Sequence, residues 1–238
     1  MDLKETDILG DGIGKHWYYR SKARAMEHLL GGVMPSVILD VGAGSGFFSR
    51  KLLSNTPAKQ AWCVDISYEV DSETLEAGKP VFLRRSVDKV DADLILVMDV
   101  LEHVDDDVGL LDDYVKKVPC GARFIISVPA FQFLWSGHDV FLEHKRRYRL
   151  NQIEDVARRA GLTVKHGAYY FGAVFPIAAT IRMANNLLRR GREKAQSQLT
   201  QHHPFVNETL AAMSSAELPF FLRNRFAGLT AFVLAEKT

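Results

Sequence analysis

The chain has 238 residues, 47% of them hydrophobic and 25% charged, with a formal net charge of +1. That length fits one domain, or one domain with an elaborated insert, and the apolar fraction is enough for a substantial core. Near-neutral charge gives no global argument for a nucleic-acid or acidic partner, and no run reaches the ~20 apolar residues that a spanning helix needs.

Cys63 and Cys120 match no metal or redox spacing and read as two small buried side chains in a reducing compartment. Met1 to Asp11 is acidic and polar, which does not read as a signal peptide, so the expected location is cytoplasmic.

His16-Trp17-Tyr18-Tyr19-Arg20 opens the ordered part, followed by a helical pattern through Ala25, Met26, Leu29 and Leu30 that Gly31-Gly32 ends. Val37 to Val41 is a short β-branched run, read as a buried parallel strand. It carries Asp40 and runs into Gly42, Gly44 and Gly46, after which Phe47, Phe48, Leu52 and Leu53 fall on one helical face. Strand, glycine turn and helix are the nucleotide-binding start of a doubly wound α/β sheet. The next strand, Gln60 to Val64, ends in Asp65, at about the spacing where a ribose-binding acid is expected.

A polar stretch with Ser67, Ser72, Glu73 and Glu76 reads as a loop and a helix, before a third strand at Val81 to Leu83. Leu94 to Met98 is a fourth strand, apolar on both faces, ending in Asp99-Val100-Leu101-Glu102-His103-Val104 and the acidic run Asp105 to Asp107. That run reads as a solvated helix start, where acids suit the dipole. Ala122 to Val128 is a fifth strand. The loop after it is dense in polar and aromatic chemistry, including Trp135, His138, Asp139, Glu143, His144, Arg146, Arg147 and Tyr148. Asn151 and Glu154 are spaced as a capping box for the following helix.

Leu162 to Tyr170 reads as strand six and Leu229 to Ala235 as an alternating last strand. Between them, Gly167 to Ile181 is free of charge, and Arg182, Arg189, Arg190, Arg192 and Lys194 follow. Two readings stay open there: a helix lining a substrate pocket, which is favoured, or an amphipathic helix in peripheral contact with a membrane. Gln196 to His203 reads as a surface connection.

A dinucleotide loop runs G-x-G-x-x-G; here the third glycine comes one residue early, giving D-x-G-x-G-x-G over Asp40 to Gly46. This resembles motif I of the class I S-adenosylmethionine-dependent methyltransferases. The L-E-H-V at Leu101 to Val104 and the His-Trp-aromatic-aromatic-Arg opening resemble a small-molecule or lipid-type subset of them. The resemblance implies a Rossmann-like methyltransferase fold of seven strands in the order 3-2-1-4-5-7-6, with the last strand antiparallel beside strand six. It implies a single domain: a lid at 1–32, a cofactor-binding core at 33–170, a substrate-pocket insert at 171–225 and the last strand at 226–238. The cofactor would be S-adenosylmethionine, left as S-adenosylhomocysteine. Asp40, Gly42, Ala43, Gly44, Gly46, Asp65, Ile66, Met98 and Asp99 would hold it, with Ser86 or Asp88 at the adenine edge. Tyr19 and Arg20, with Arg24, are lid candidates, core packing being the other reading of that aromatic cluster.

His103 and His144 are the expected catalytic groups facing the acceptor, each with a buried structural histidine as its alternative. The expected reaction is methylation of oxygen or nitrogen on a small-molecule or lipid-like acceptor. A nucleic-acid methyltransferase and a non-catalytic cofactor-binding regulatory module remain alternatives, the first disfavoured because the basic residues are dispersed. No metal ligand is assigned. Asp99, Glu102 and His103 at i, i+3 and i+4, with His144, would suit a divalent cation if a helical turn gathered them, which is not the favoured reading.

Overall fold

The computed structural model describes residues 10–189 and 203–238. Expectations for the extreme N-terminus, for Arg190, Arg192 and Lys194, and for most of the Gln196–His203 connection therefore lie outside the described residues.

The first helix, α1 (Trp17–Leu30), follows a short 3-10 turn and stops at Gly31, whose φ of 59° is the left-handed cap that glycine adopts freely. Then come β1 (Val37–Val41), α2 (Phe47–Asn55), β2 (Gln60–Val64), β3 (Ser72–Glu76), β4 (Lys79–Arg84) and β5 (Leu94–Met98). The second half holds α3 (Asp107–Lys117), β6 (Arg123–Pro129), the short α4 (Gly137–Phe141), α5 (Leu150–Arg159), β7 (Leu162–Tyr170), α6 (Phe175–Arg189), α7 (Pro204–Phe221) and β8 (Thr230–Lys237).

The eight strands among the described residues form one sheet in the order β3-β4-β2-β1-β5-β6-β8-β7. The expected seven-stranded order is therefore corrected. Ser72 to Glu76, read as a loop and helix, is instead an added edge strand, antiparallel to β4. Ala77 and Gly78, both at positive φ, make its tight turn, the geometry that matches the twist of a two-residue hairpin. The five strands β4, β2, β1, β5 and β6 run parallel, and β8 enters antiparallel between β6 and β7.

Successive residues of β1 point to opposite faces, and so divide between two cores. Ile38 packs with α1, α2 and α7, while Leu39 and Val41 pack with α3 and α5. Burial on both faces is why these strands read as unbroken apolar runs. α1 lies against α7, tied by Trp17 N–H to Asn207 Oδ1 (2.8 Å), Arg20 to Glu208 (2.5 Å) and Arg24 to Ser215 Oγ (2.6 Å). The N-terminal helix and the segment before the last strand thus form one layer over the sheet.

Two smaller expectations also change. Cys120 is exposed rather than buried. At the start of α5, Arg149 N–H donates to Gln152 Oε1 (2.7 Å), while Glu154 pairs instead with Arg158 and Arg225.

Candidate functional site

Parallel strands deliver their carboxyl ends to one edge, where ligands of open α/β sheets bind. Three non-glycine residues there have positive φ: Asp99 (55°) after β5, Phe131 (59°) after β6 and Phe171 (63°) after β7. Such conformations cost of order 1–3 kcal/mol each and concentrate at functional sites.

The glycine loop follows β1. Gly42, Gly44 and Gly46 have φ of 62°, 53° and 70°, a region a β-carbon disfavours. Ala43 N–H donates to Val64 O (3.1 Å), and Gly44 N–H to Asp65 Oδ2 (2.9 Å). The Tyr68 hydroxyl donates to Gly44 O (2.6 Å), so the tips of β1 and β2 are laced together. Asp65 also receives the backbone and hydroxyl of Ser67. Ile66 beside it is an apolar side chain 85% exposed. Ser86, after β4, is exposed.

Asp40 is buried beneath the loop. Burial pushes its carboxyl up to about 6, with the Ser49 hydroxyl pulling the other way. Gly42 has a second neighbour: a β-carbon on it would lie 2.6 Å from Val100 Cγ2. The loop is thus pressed against the segment that leaves β5.

That segment carries Asp99, Glu102 and His103. Because Asp99 has positive φ, the helical turn begins only at Leu101, as a 3-10 turn over Leu101–His103. Asp99 accepts a hydrogen bond from the fully buried Lys22 of α1 and a weaker one from Ser127 Oγ (3.3 Å). Burial would push the Lys22 ammonium pKa down; the Asp99 carboxylate reverses that and raises it.

Glu102 is fully buried, and neither carboxylate oxygen has a hydrogen-bond partner among the described residues. Burial, then the charge of Asp99, lifts its pKa well above the usual carboxylate range, against the opposing field of Lys22. His144 Nε2 lies 4.0 Å from Glu102 Oε1, and its Nδ1 lies 2.9 Å from Asp139 Oδ1. Asp139 is fully buried and also accepts from Arg147 Nε (2.7 Å) and Nη2 (2.9 Å) and from Ser136 N (2.8 Å). Burial alone would raise its pKa; the His144 hydrogen bond and Arg147 overcome that and hold it far below the usual range. The His103 and His144 rings meet edge to face at 4.8 Å.

The other sequence candidates sit elsewhere. Tyr19 is buried among Phe47, Phe48 and His16, and Met98 is in the core beneath the edge. Arg20 and Arg24 bind α7. Of the acidic run, Asp105 pairs with Lys145, Asp106 caps α3 and Asp107 is buried against Tyr148, so only the first two fit a solvated helix start. A cleft beside the loop is lined by Ser45, Phe47, Arg50 and Glu76, and Asp40, Asp65 and Asp99 do not line it.

Lys22 escaped sequence reasoning as a member of this edge, while Asp139 and Arg147 were read only as part of the loop after the fifth strand, with no role of their own. Lys22 had a signal: it lies three residues after Tyr19 and four before Met26, on the apolar stripe of α1, where a charge needs a partner.

Residues 15–166 match the family model described as a methyltransferase domain. The chain belongs to the methyltransferase domain family. Family membership implies S-adenosylmethionine as cofactor, and the loop fits it: bare glycine backbone, Asp65 at the neighbouring strand tip, exposed Ile66, and a buried Ser45 hydroxyl with no partner among the described residues. Solved structures share the fold of this methyltransferase. One is an S-adenosylmethionine-dependent methyltransferase from Archaeoglobus fulgidus (16% identity, 99% of this chain and 98% of that one, TM-score 0.53). Another comes from the complex of the Haloferax volcanii Trm112 methyltransferase activator with a methyltransferase (14% identity, 99% and 97%, TM-score 0.59). The pyocyanin biosynthetic protein PhzM also matches (15%, 100% and 62%, TM-score 0.52). Among curated proteins there is no match.

Proposed function

We propose that this methyltransferase methylates oxygen or nitrogen on a small-molecule or lipid-like acceptor. The observation that carries the reading is the contact of Gly42 with Val100. It joins the cofactor loop to the segment bearing Glu102 and His103, so the cofactor and the imidazoles share one edge.

In this reading the backbone of Gly42, Ala43, Gly44 and Gly46, with Asp40 and Asp65, receives the cofactor. Ile66 covers the adenine, Ser86 borders it, and Asp99 with Met98 backs its reactive end. Bound there, S-adenosylmethionine supplies an electrophilic methyl group for an in-line displacement. The chain's own contribution is orientation, which can supply roughly 7–11 kcal/mol, and removal of the acceptor proton by the His103 and His144 pair. Asp139 fixes the His144 ring, so that Nδ1–H faces Asp139 and Nε2 faces the site.

The lid reading of 1–32 is supported by the α1–α7 contacts, with Lys22 rather than Arg20 reaching the edge. The insert at 171–225 then walls the acceptor side. Its exposed Ile177, Ile181, Met183 and Phe220 support an apolar acceptor or peripheral contact with lipid; among the described residues no helix is long and apolar enough to cross a membrane. Mitomycin 7-O-methyltransferase shares the fold (TM-score 0.50), which is compatible with a small acceptor.

S-adenosylhomocysteine should raise the melting temperature of the wild-type protein, and Asp65→Ala should abolish the rise. A rise with NAD and none with S-adenosylhomocysteine would end the reading. Tight cofactor binding with no turnover over broad acceptor pools would leave a regulatory module.

A further inference from the structure

We infer that Glu102, His103 and His144 form a binding site for a divalent transition-metal ion at the edge of the cofactor loop. Its proposed use rests on the methyltransferase reading, while its existence does not.

One ligand atom from each of the three residues lies within 4.8 Å of the others. Glu102 is the strongest indication, because it is 0% exposed and both carboxylate oxygens lack a hydrogen bond among the described residues. Such a group costs several kcal/mol unless it is neutralised, paired or bound to metal. Lys22 is the charge that reaches it, yet the hydrogen bonds of Lys22 go to Asp99 and Tyr18.

His144 supplies the second, independent indication. Its Nδ1 sits 2.9 Å from the Asp139 carboxylate, which Arg147 and Ser136 hold in place. With the proton on Nδ1, the Nε2 lone pair is left facing Glu102 Oε1 at 4.0 Å. That distance is too long for a hydrogen bond, and two electron-rich atoms face each other across it. It is within the span of two metal–ligand bonds of about 2.0–2.2 Å. A carboxylate on the far ring nitrogen is the usual outer support of a metal-bound histidine. The His103 ring meets that of His144 edge to face, adding a second imidazole.

One carboxylate and two imidazoles suit Zn²⁺ or Fe²⁺ better than Mg²⁺ or Ca²⁺, which prefer oxygen. Three protein ligands leave a position open for the acceptor, whose class then follows: a hydroxylated molecule bound through oxygen. With both imidazoles on the ion, the metal takes over the role given above to the free histidine pair and would favour loss of the hydroxyl proton to water. The O–CH₃ bond then forms as the sulfonium S–CH₃ bond breaks, its electron pair remaining on sulfur as the thioether.

The test uses the full-length protein stripped of metal by chelation. Zn²⁺ alone is titrated by calorimetry, and Co²⁺ is followed by its visible absorption. One equivalent should bind. His144→Ala and the isosteric Glu102→Gln should each weaken it by more than the 10–100-fold typical of losing an outer-shell partner. Stabilisation by S-adenosylhomocysteine, measured in parallel, shows that each variant is folded. Wild-type protein that binds S-adenosylhomocysteine but no Zn²⁺ overturns the inference, leaving Glu102 a neutral buried acid. So does Zn²⁺ binding that both variants leave unchanged. Metal binding sensitive to both variants, with no response to S-adenosylhomocysteine, keeps the site and removes the cofactor-loop reading.

Discussion

The Lys22 ammonium, fully buried on the N-terminal helix, is paired with the Asp99 carboxylate at the tip of β5. The residues are 77 positions apart, so the contact pins α1 across the edge where the glycine loop and the histidine pair meet. Asp99 makes it from a positive φ of 55°.

Removing one partner of a buried pair strands the other, at about 3–5 kcal/mol. Lys22→Met is expected near the lower end, because the Asp99 side chain keeps 18% exposure. Lys22→Met with Asp99→Leu should cost less than the sum of the single changes. Urea unfolding of the four proteins measures the coupling, and a coupling near zero would show that the pair does not hold α1 down.

Asp40 should oppose stability. Its carboxyl is raised by burial to about 6, so in the window from about pH 4 to 6 the native state keeps a proton the unfolded chain has lost. Stability then falls as pH rises through that window, by about 3 kcal/mol in all for a rise of that size. Asp40→Asn should therefore melt several degrees higher at pH 8 and match wild type below about pH 4, while binding S-adenosylhomocysteine less tightly. Equal melting temperatures at pH 8 would contradict the burial argument.

The half of the edge written in local sequence was legible, and the half made by long-range pairing was not. β1 and the loop could be read because an apolar run ending in glycines at 42, 44 and 46 fixes its own backbone, and Asp65 sits at the next strand tip. β3 was missed because Ser-Glu-Thr-Leu-Glu carries too few apolar residues for a strand. As an edge strand it keeps Leu75 69% exposed, and only the Ala77-Gly78 turn marked it. Asp99, Glu102 and His103 looked like one helical face, but the positive φ at Asp99 delays the turn and sends its side chain to Lys22. Nothing near Glu102 in sequence states that its carboxylate is sealed from water.

The apolar exposure on the insert makes a claim about lipid. On α6, Ile177 and Ile181 are 55% and 56% exposed, and Phe220 at the end of α7 is 66% exposed. Ile177→Ser with Ile181→Ser should leave the melting temperature within a few degrees, since exposed positions contribute little to stability. If the insert touches lipid, the double variant should co-sediment with anionic liposomes less than wild type. Equal sedimentation of both proteins would leave the exposed side chains to an acceptor or to solvent.

The chain Arg147–Asp139–His144 gives the last prediction. Asp139 is held ionised against its burial by both neighbours, and its folded pKa lies below its unfolded value. Its contribution to stability is therefore present above about pH 4 and is lost as the pH falls further. Asp139→Asn leaves the buried Arg147 without its charge partner, which should cost about 3–5 kcal/mol at pH 7, and the gap from wild type should narrow below pH 4. The substitution also removes the group that fixes the His144 tautomer. If His144 acts on the acceptor, kcat should fall more than folding alone explains, with KM for S-adenosylmethionine little changed. Guanidinium unfolding across pH 3 to 8 measures the first effect and steady-state kinetics at a temperature where the variant is folded measures the second. A stability loss with kcat intact would make Asp139 a structural support and leave His144 without its assigned role.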